Sequence, residues 1–324
     1  MYWRYLLRRV VTLIINFWVV ATLIFFMFRF LPGDPTAMFL DPSMTVEVRE
    51  AILHRFGLDR PLHEQYVLYM QNLLQGDFGW SFYYNRPVGE IISDFLPNTV
   101  VLAASSLVIA YVVGVVGGVV LAWKRNSRFG GWGTLIPLFF RSAPVFWTGM
   151  VAIMFLSYRW GLFPHRGMRT PGYVADGFLE KFANPDFLHH LALPTLIAAL
   201  YYMGLPMLLT RTSMLEVFGE EFVDLARARG FSEARVMFVH VLRNALLPIV
   251  TATAVAIGLA VGGNIVIEYV FSWPGIGREI VLATQNRDYP LAQGMFMVIA
   301  AAVMVANTLA DMVYIYLDPR VTFR

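Results

Sequence analysis

Glu268 in "GGNIVIEYVF" and Asp311 in "NTLADMVYIYL" are carboxylates inside long apolar runs, with Asn264 and Asn307 close by in those same runs. An ionisable group so placed marks a proton relay, a solute pathway or a polar contact between helices. Both stand near the ends of their runs, within reach of polar surroundings. Polar packing is therefore the favoured reading and proton transfer the alternative. His189 and His190 open another apolar run. Neighbouring residues on a helix point about 100° apart, so the pair is expected to serve the interface and not a metal. "HEQYV" from His63 carries Val67 where a zinc-binding H-E-x-x-H needs its second histidine. No G-x-S-x-G nucleophile turn occurs. Cysteine is absent, which excludes disulfides, thiolate catalysis and cysteine metal sites. Lys124 and Lys181 follow Trp123 and Glu180, so no phosphate-cradling Gly-Lys loop exists. The chain is expected to hold no metal, no cofactor and no catalytic centre; ATP chemistry would have to come from another subunit.

The elements that carry these residues belong in a bilayer. Of 324 residues 58% are apolar and 15% charged, against about 45–50% and about 25% in soluble domains. Net charge is +3 and nearly every basic residue is Arg, a pattern of membrane edges more than of nucleic-acid binding. The opening "MYWRYLLRR" and the apolar run after it are too long for a signal peptide and read as a retained first span. Six stretches reach the roughly 20 residues a spanning helix needs: 9–30, 98–123, 134–158, 190–210, 246–271 and 293–317. With the N-terminus inside, the inner pieces hold 13 basic residues in 58 positions and the outer loops 10 in 116. The bias favours N-in/C-in. Residues 31–97 are too long for a simple connector. "TVEVREAILHRFG" and "PLHEQYVLYMQNLLQG" read as helices there, giving a small helical insertion on the outer face. Gly114 with Gly118, and Gly258 with Gly262, have the spacing that lets helices approach closely. The fold class expected is an all-α integral membrane protein of about six spans forming one domain, 1–324, with core spans over 98–317.

Between the fourth and fifth runs, the chain breaks into the charged "EEFVDLARARGFSEARVMFVHVLRNALLPIV", 220–250. A first helix is predicted over 220–229. Glu220, Glu221 and Asp224 lie in its early turns and Arg227 and Arg229 at its end, all complementing the helix dipole. Gly230 stops it and Ser232 caps a second helix running toward Pro248. Phe222, Leu225, Ala226 and Arg229 are expected on one face; His240, Arg243 and Asn244 form a polar stripe on the second helix. Two spans would present such a helix to the cytosol, and the two acidic residues at its start, with little bulky apolar surface, favour docking on a protein over lying in headgroups.

This stretch resembles the coupling ("EAA") segment of ABC-importer permeases, in the form of the peptide, dipeptide and nickel branch. Asp224, Ala226 and Gly230 fit the register, while Leu247–Pro248 comes farther from the glycine than in the general pattern, 18 residues on. The resemblance extends through "RYLLRRVVTLI" to "FRFLPGDP" (4–35), "LQGDFGWSF" with "RPV" (74–88), "SAPVFWTGM" (142–150), "LTRTSMLEV" (209–217), "FSWPGIGREI" with "NRDYP" (271–290) and "DMVYIYLDPRV" (311–321). "SWPG" is expected to form a type II turn with Pro274 and Gly275 at its centre.

The resemblance implies an importer permease of the bacterial or archaeal inner membrane. It implies a second homologous permease forming a heterodimer, two cytosolic ATPases holding ATP and Mg, and an extracytoplasmic binding protein. On that reading, segment 211–245 is the cytoplasmic coupling segment. Its ATPase-contacting residues are Glu220, Glu221, Phe222, Asp224, Ala226, Arg227, Ala228, Arg229 and Gly230. Trp273, Pro274, Gly275, Arg278 and Asp288 face the binding protein, and Asn264 and Glu268 are pathway candidates. Substrates in the branch range from dipeptides and longer peptides to nickel chelates, glutathione and oligosaccharides. The alternative is a proton-coupled secondary transporter using Glu268 or Asp311, although no inverted repeat is visible.

Overall fold

The structure is a computed structural model and describes residues 2–30, 60–173, 177–246, 248–249, 252–253, 256 and 264–317. The expected helix at 45–57, most of the fifth apolar run, the Gly258–Gly262 pair, the Asp311 side chain and the C-terminal "DPRV" lie outside the described residues. The chain divides into two compact units, one of residues 1–98 with 275–304, the other of 99–274 with 305–324.

In the first unit, helix α1 (Tyr2–Phe30) is 29 residues long, about 44 Å at 1.5 Å per residue, and so exceeds a bilayer core of about 30 Å. Helix α2 (Leu62–Leu74) follows Pro61, whose fixed φ and missing N–H suit a helix start. Its Tyr66 hydroxyl bonds Thr22 at 2.8 Å, and its ring meets Phe25 edge to face. Next come two short antiparallel strands, β1 (Trp80–Ser81) and β2 (Arg86–Pro87). The sequence shows helix-like stretches in this insertion and no sign of the hairpin. The hairpin forms because Asn85 adopts φ +50°, a left-handed value that Asn tolerates in a tight turn. Helices α13 (Ile276–Gln285) and the start of α14 (Tyr289–Leu317) complete this unit. Its core gathers Ala21, Ile24, Phe28, Ile91, Ile276, Ile280, Leu291 and Met295.

Helix α3 (Val88–Trp123) has 36 residues and begins ten before the expected second span. At about 54 Å it outruns the bilayer. Its first turns, with Glu90, Asp94 and the Arg86–Asp94 pair at 2.6 Å, can therefore stand outside the apolar layer. Pro97 lies within it, as membrane helices tolerate.

In the second unit, α4 (Arg128–Trp132) precedes the expected third span, which α5 (Leu135–Ser142) and α6 (Val145–Ala152, continuing as a wider π-helical turn Ile153–Arg159) cover. That span is not one rod: the chain bends by 99° between the two helical stretches. Pro144 is the cause. It forces Ala143 into extended backbone, φ −68° and ψ 135°, and gives no N–H to the preceding turn. Beyond it come α7 (Phe178–Ala183), α8 (Pro185–Tyr202) and α9 (Gly204–Val217). Asn184 caps α8 by accepting the Phe187 N–H at 2.7 Å, with Pro185 in the first turn. Helices α8 and α9 meet at a 40° bend, and α9 runs past the expected end of the fourth span. Gly114 and Gly118 do pack closely, against Pro206, Met207 and Thr210 of α9. Among the described residues three helices are each long and apolar enough to cross a membrane, and up to five spans result if each bent pair counts as one.

Candidate functional site

The charged cassette folds as its spacing dictates. Helix α10 (Glu221–Ala228) follows Glu220 in extended backbone. Gly230 takes φ +78°; its N–H bonds the Arg227 carbonyl and that of Phe231 bonds Ala226. That double closure ends the helix and needs a residue free of Cβ strain at Gly230. Ser232 then caps the next helix, α11 (Glu233–Arg235, widening over Val236–Val241), by accepting the Arg235 N–H.

One expectation about the face of α10 is corrected. Ala226 is buried with Val223, packed with Val119, Ala122, Met214, Val236, Met237 and Val241 of the chain's own core. Phe222 and Leu225 point the other way and are 38% and 53% exposed. The two sets separate because Val223 and Ala226, three apart, share a stripe that Phe222 and Leu225 do not. Glu220, Glu221, Asp224, Ala228 and Arg229 are exposed. Arg227 bridges the two helices, reaching Asp224 Oδ1 at 3.3 Å and Glu233 Oε1 at 3.0 Å. Phe231 stacks on His240 at 5.2 Å, and the Arg235 guanidinium lies 4.5 Å from the same ring. Arg243 and Asn244 are exposed, and Asn244 donates back to the His240 carbonyl. The arrangement is a short helix clamped to its successor, with two bulky apolar side chains left outside.

Residues 271–290 divide between the two units. In the second unit, α12 (Ile265–Val270) ends with Ser272 at φ +50°. The Ser272 and Trp273 amides close on the Tyr269 and Glu268 carbonyls. Trp273 is fully buried with Phe187, Leu193 and Phe271, while Pro274 is half-buried. Gly275 opens α13 with φ −125° and ψ 174°. The expected type II turn is therefore not formed, since its third residue needs positive φ.

In the first unit, Asp288 is 1% exposed. Its Oδ2 accepts from the Ser81 hydroxyl at 2.6 Å and from the Phe82 and Tyr83 amides at 3.1 and 3.0 Å. Its Oδ1 accepts the Leu291 N–H at 3.3 Å and caps α14. The carboxylate thus holds the hairpin and turns away from solvent. Glu279, also buried, accepts the Tyr84 hydroxyl at 2.6 Å and the Arg278 guanidinium at 3.1 Å. Burial, and then the bond to the Glu279 carboxylate, push the Tyr84 phenol well above its ordinary value. Sequence reading missed Ser81, Tyr84 and Glu279: each lies some 200 positions from its partner, and no local period links them. Of this stretch Thr284, Gln285 and Arg287 are exposed and Arg278 half-buried.

The pathway candidates lie one turn apart on one helix face. Asn264 accepts from the Tyr202 hydroxyl at 3.2 Å, and both Asn264 and Glu268 are buried in this conformation. His189 and His190 diverge as their spacing predicts, with rings at 76°. Each bonds a different backbone carbonyl, those of Leu162 and Asp186.

Residues 114–323 match the family described as binding-protein-dependent transport system inner membrane component, and residues 2–103 match the N-terminal component of such systems. The chain is 35% identical to the oligopeptide transport system permease protein AppB of Bacillus subtilis, covering 98% of this chain and 99% of that one. It is 35% identical to the di/tripeptide transport system permease protein DppB of Pseudomonas aeruginosa, and 33% to the dipeptide transport system permease protein DppB of Escherichia coli. Each of those two alignments covers 98% of both chains. This chain belongs to the binding-protein-dependent inner membrane component family: it is a multi-span permease subunit of an ABC importer, not the ATPase.

Proposed function

We propose that this chain forms half of a peptide-conducting pathway, with six spans and both termini in the cytosol, and that α10 couples it to an ATPase. The observation that carries the reading is the pair Phe222 and Leu225. They stand exposed on a helix whose other face, Val223 and Ala226, is fixed in the permease core. A groove in a cytosolic ATPase that receives these two side chains would pull on α9, α11 and the end of α3 together. Glu220, Glu221, Asp224, Ala228 and Arg229 would form the polar rim, with Arg227 and Gly230 holding the shape.

Two ATPases would supply ATP and Mg, and a second, non-identical permease would complete the pathway beside Asn264 and Glu268. An extracytoplasmic binding protein would meet 271–290 through Arg278 and the exposed Thr284, Gln285 and Arg287. In the first unit Gly275 and Asp288 would set the shape of that surface from within, whereas Trp273 and Pro274 belong to the second unit. The peptide assignment rests on what AppB and the two DppB proteins are named for.

The test is Leu225→Asp, alone and with Phe222→Asp, in the assembled importer. Transport is expected to fall at least about tenfold, equivalent to about 1.4 kcal/mol of lost docking, with insertion unchanged. Undiminished uptake would overturn the coupling role. Ala226→Arg is unsuitable as a test, because it strikes the permease core as well.

A further inference from the structure

Helix α3 ends at Trp123, and the turn after it carries Lys124 and Arg125, with Arg128 opening α4; all three are exposed. The turn is tightly built. The Ser127 amide and hydroxyl both donate to the Lys124 carbonyl, at 2.9 and 2.7 Å, and the Gly130 amide donates to the Ser127 hydroxyl at 3.2 Å. A Cβ at Gly130 would sit 2.2 Å from the Lys124 carbonyl oxygen, so the backbones of the turn touch. The three cations therefore project from a fixed frame.

No Asp or Glu occurs anywhere from 95 to 175, and among the described residues no ion pair involves Lys124, Arg125 or Arg128. The Arg125 guanidinium lies 4.5 Å from the Phe218 ring centre, and the Lys124 ammonium 5.5 Å from that of Trp123. A guanidinium held by its face keeps its N–H edges for a bidentate acceptor such as a phosphate.

Aromatic and apolar residues flank the cations in the sequence. Trp132 is 71% exposed, and Trp123, Leu135, Ile136 and Phe139 are exposed near it in sequence. Tryptophan beside a basic turn at a span end is the composition of a membrane–water boundary. The turn also lies at the same end of the unit as α10, because Val119 and Ala122 of α3 share a core with Val223 and Ala226.

We propose that Lys124, Arg125 and Arg128 bind the phosphodiester headgroup of an anionic phospholipid in the leaflet beside the coupling helix. Trp123 and Trp132 flank the site at the level of the glycerol backbone. Clustered basic residues next to a span attract anionic lipid, and here the turn fixes their positions in advance. The choice of the cytoplasmic leaflet rests on the coupling role proposed above. A lipid held here would brace the end of α3 against Phe218, which joins α9 to α10.

The experiment uses the importer complex in nanodiscs of phosphatidylcholine, with or without phosphatidylglycerol, and counts retained phosphatidylglycerol by native mass spectrometry. Wild type is expected to retain it, and Lys124→Gln/Arg125→Gln/Arg128→Gln to lose retention about tenfold. Arg128→Gln alone serves if the triple variant inserts poorly, with a smaller loss expected. Arg60→Gln/Arg166→Gln removes two exposed arginines elsewhere and should retain lipid as wild type does. Equal retention in the wild type and the triple variant would overturn the proposal. So would displacement by soluble glycerol 3-phosphate, which would mark a site for free phosphate. Loss of ATPase subunits with unchanged lipid retention would mark the patch as a subunit contact and overturn it too. The leaflet is read separately with Asn126→Cys, a unique thiol in this cysteine-free chain. An impermeant maleimide is expected to label it only from the cytoplasmic side. Labelling from the other side would overturn the coupling geometry and the leaflet, while lipid retention would still report on the site.

Discussion

Asp288 accepts four hydrogen bonds while almost fully buried, three of them through one oxygen from the hairpin Ser81–Tyr83. Bonds to a charged acceptor are each worth about 1.5–3 kcal/mol, and stranding their donors costs more than never making them. Asp288→Ala is therefore expected to loosen the hairpin by about 3 kcal/mol. Hydrogen exchange at the Phe82 and Tyr83 amides should rise by about two orders of magnitude, while Asp288→Asn, which keeps a carbonyl oxygen, loses less. Unchanged protection at those amides would show that the turn holds itself. A charged residue in a loop reads in sequence as surface; here its partners some 200 positions away make it a buried post.

Helix-to-helix contact in the second unit depends on glycine. A Cβ at Gly118 would lie 2.6 Å from both the Met207 carbonyl oxygen and Thr210 Cβ, and one at Gly114 3.0 Å from the Met203 carbonyl. Two of those obstacles are backbone and cannot rotate away, so a side chain at either position would force α3 off α9. Gly118→Leu is expected to destabilise the permease by about 1–3 kcal/mol or more, measured as a lowered thermal midpoint in detergent. Gly89→Ala, with nothing within 4 Å of the added carbon, should be neutral or stabilising by up to about 1 kcal/mol. Equal midpoints for Gly118→Leu and wild type would mean that the two helices do not approach as described. Pro144 acts by a different means: it removes an N–H and fixes the residue before it, so the third apolar run bends where a hydropathy window sees one segment.

As a whole the chain has transport architecture and no phosphate loop, so its energy source is external. Reconstituted with its partner subunits, it is expected to lose at least about nine-tenths of uptake with vanadate and to be indifferent to a protonophore. The reverse pattern would return Glu268 to a proton-carrying role. Glu268 is buried one turn from Asn264, the residue that precedes α12 and whose carbonyl accepts the Glu268 N–H at 2.8 Å.

Composition, span-length apolar runs and the missing Gly-Lys loop made a membrane transporter without its own ATPase legible from sequence, because these are sums over residues and need no partners. The Gly230 stop and the Ser232 cap were also legible, since helix ends are set by the residues at them. The outward pair Phe222–Leu225 was only half legible: periodicity gives a face, but which face is buried depends on Val119, Met214 and Val236 arriving from elsewhere in the chain. The Asp288 and Glu279 posts and the extended Gly275 were decided by tertiary structure. Each depends on a contact across the sequence or on which of several allowed backbone states the neighbouring elements select.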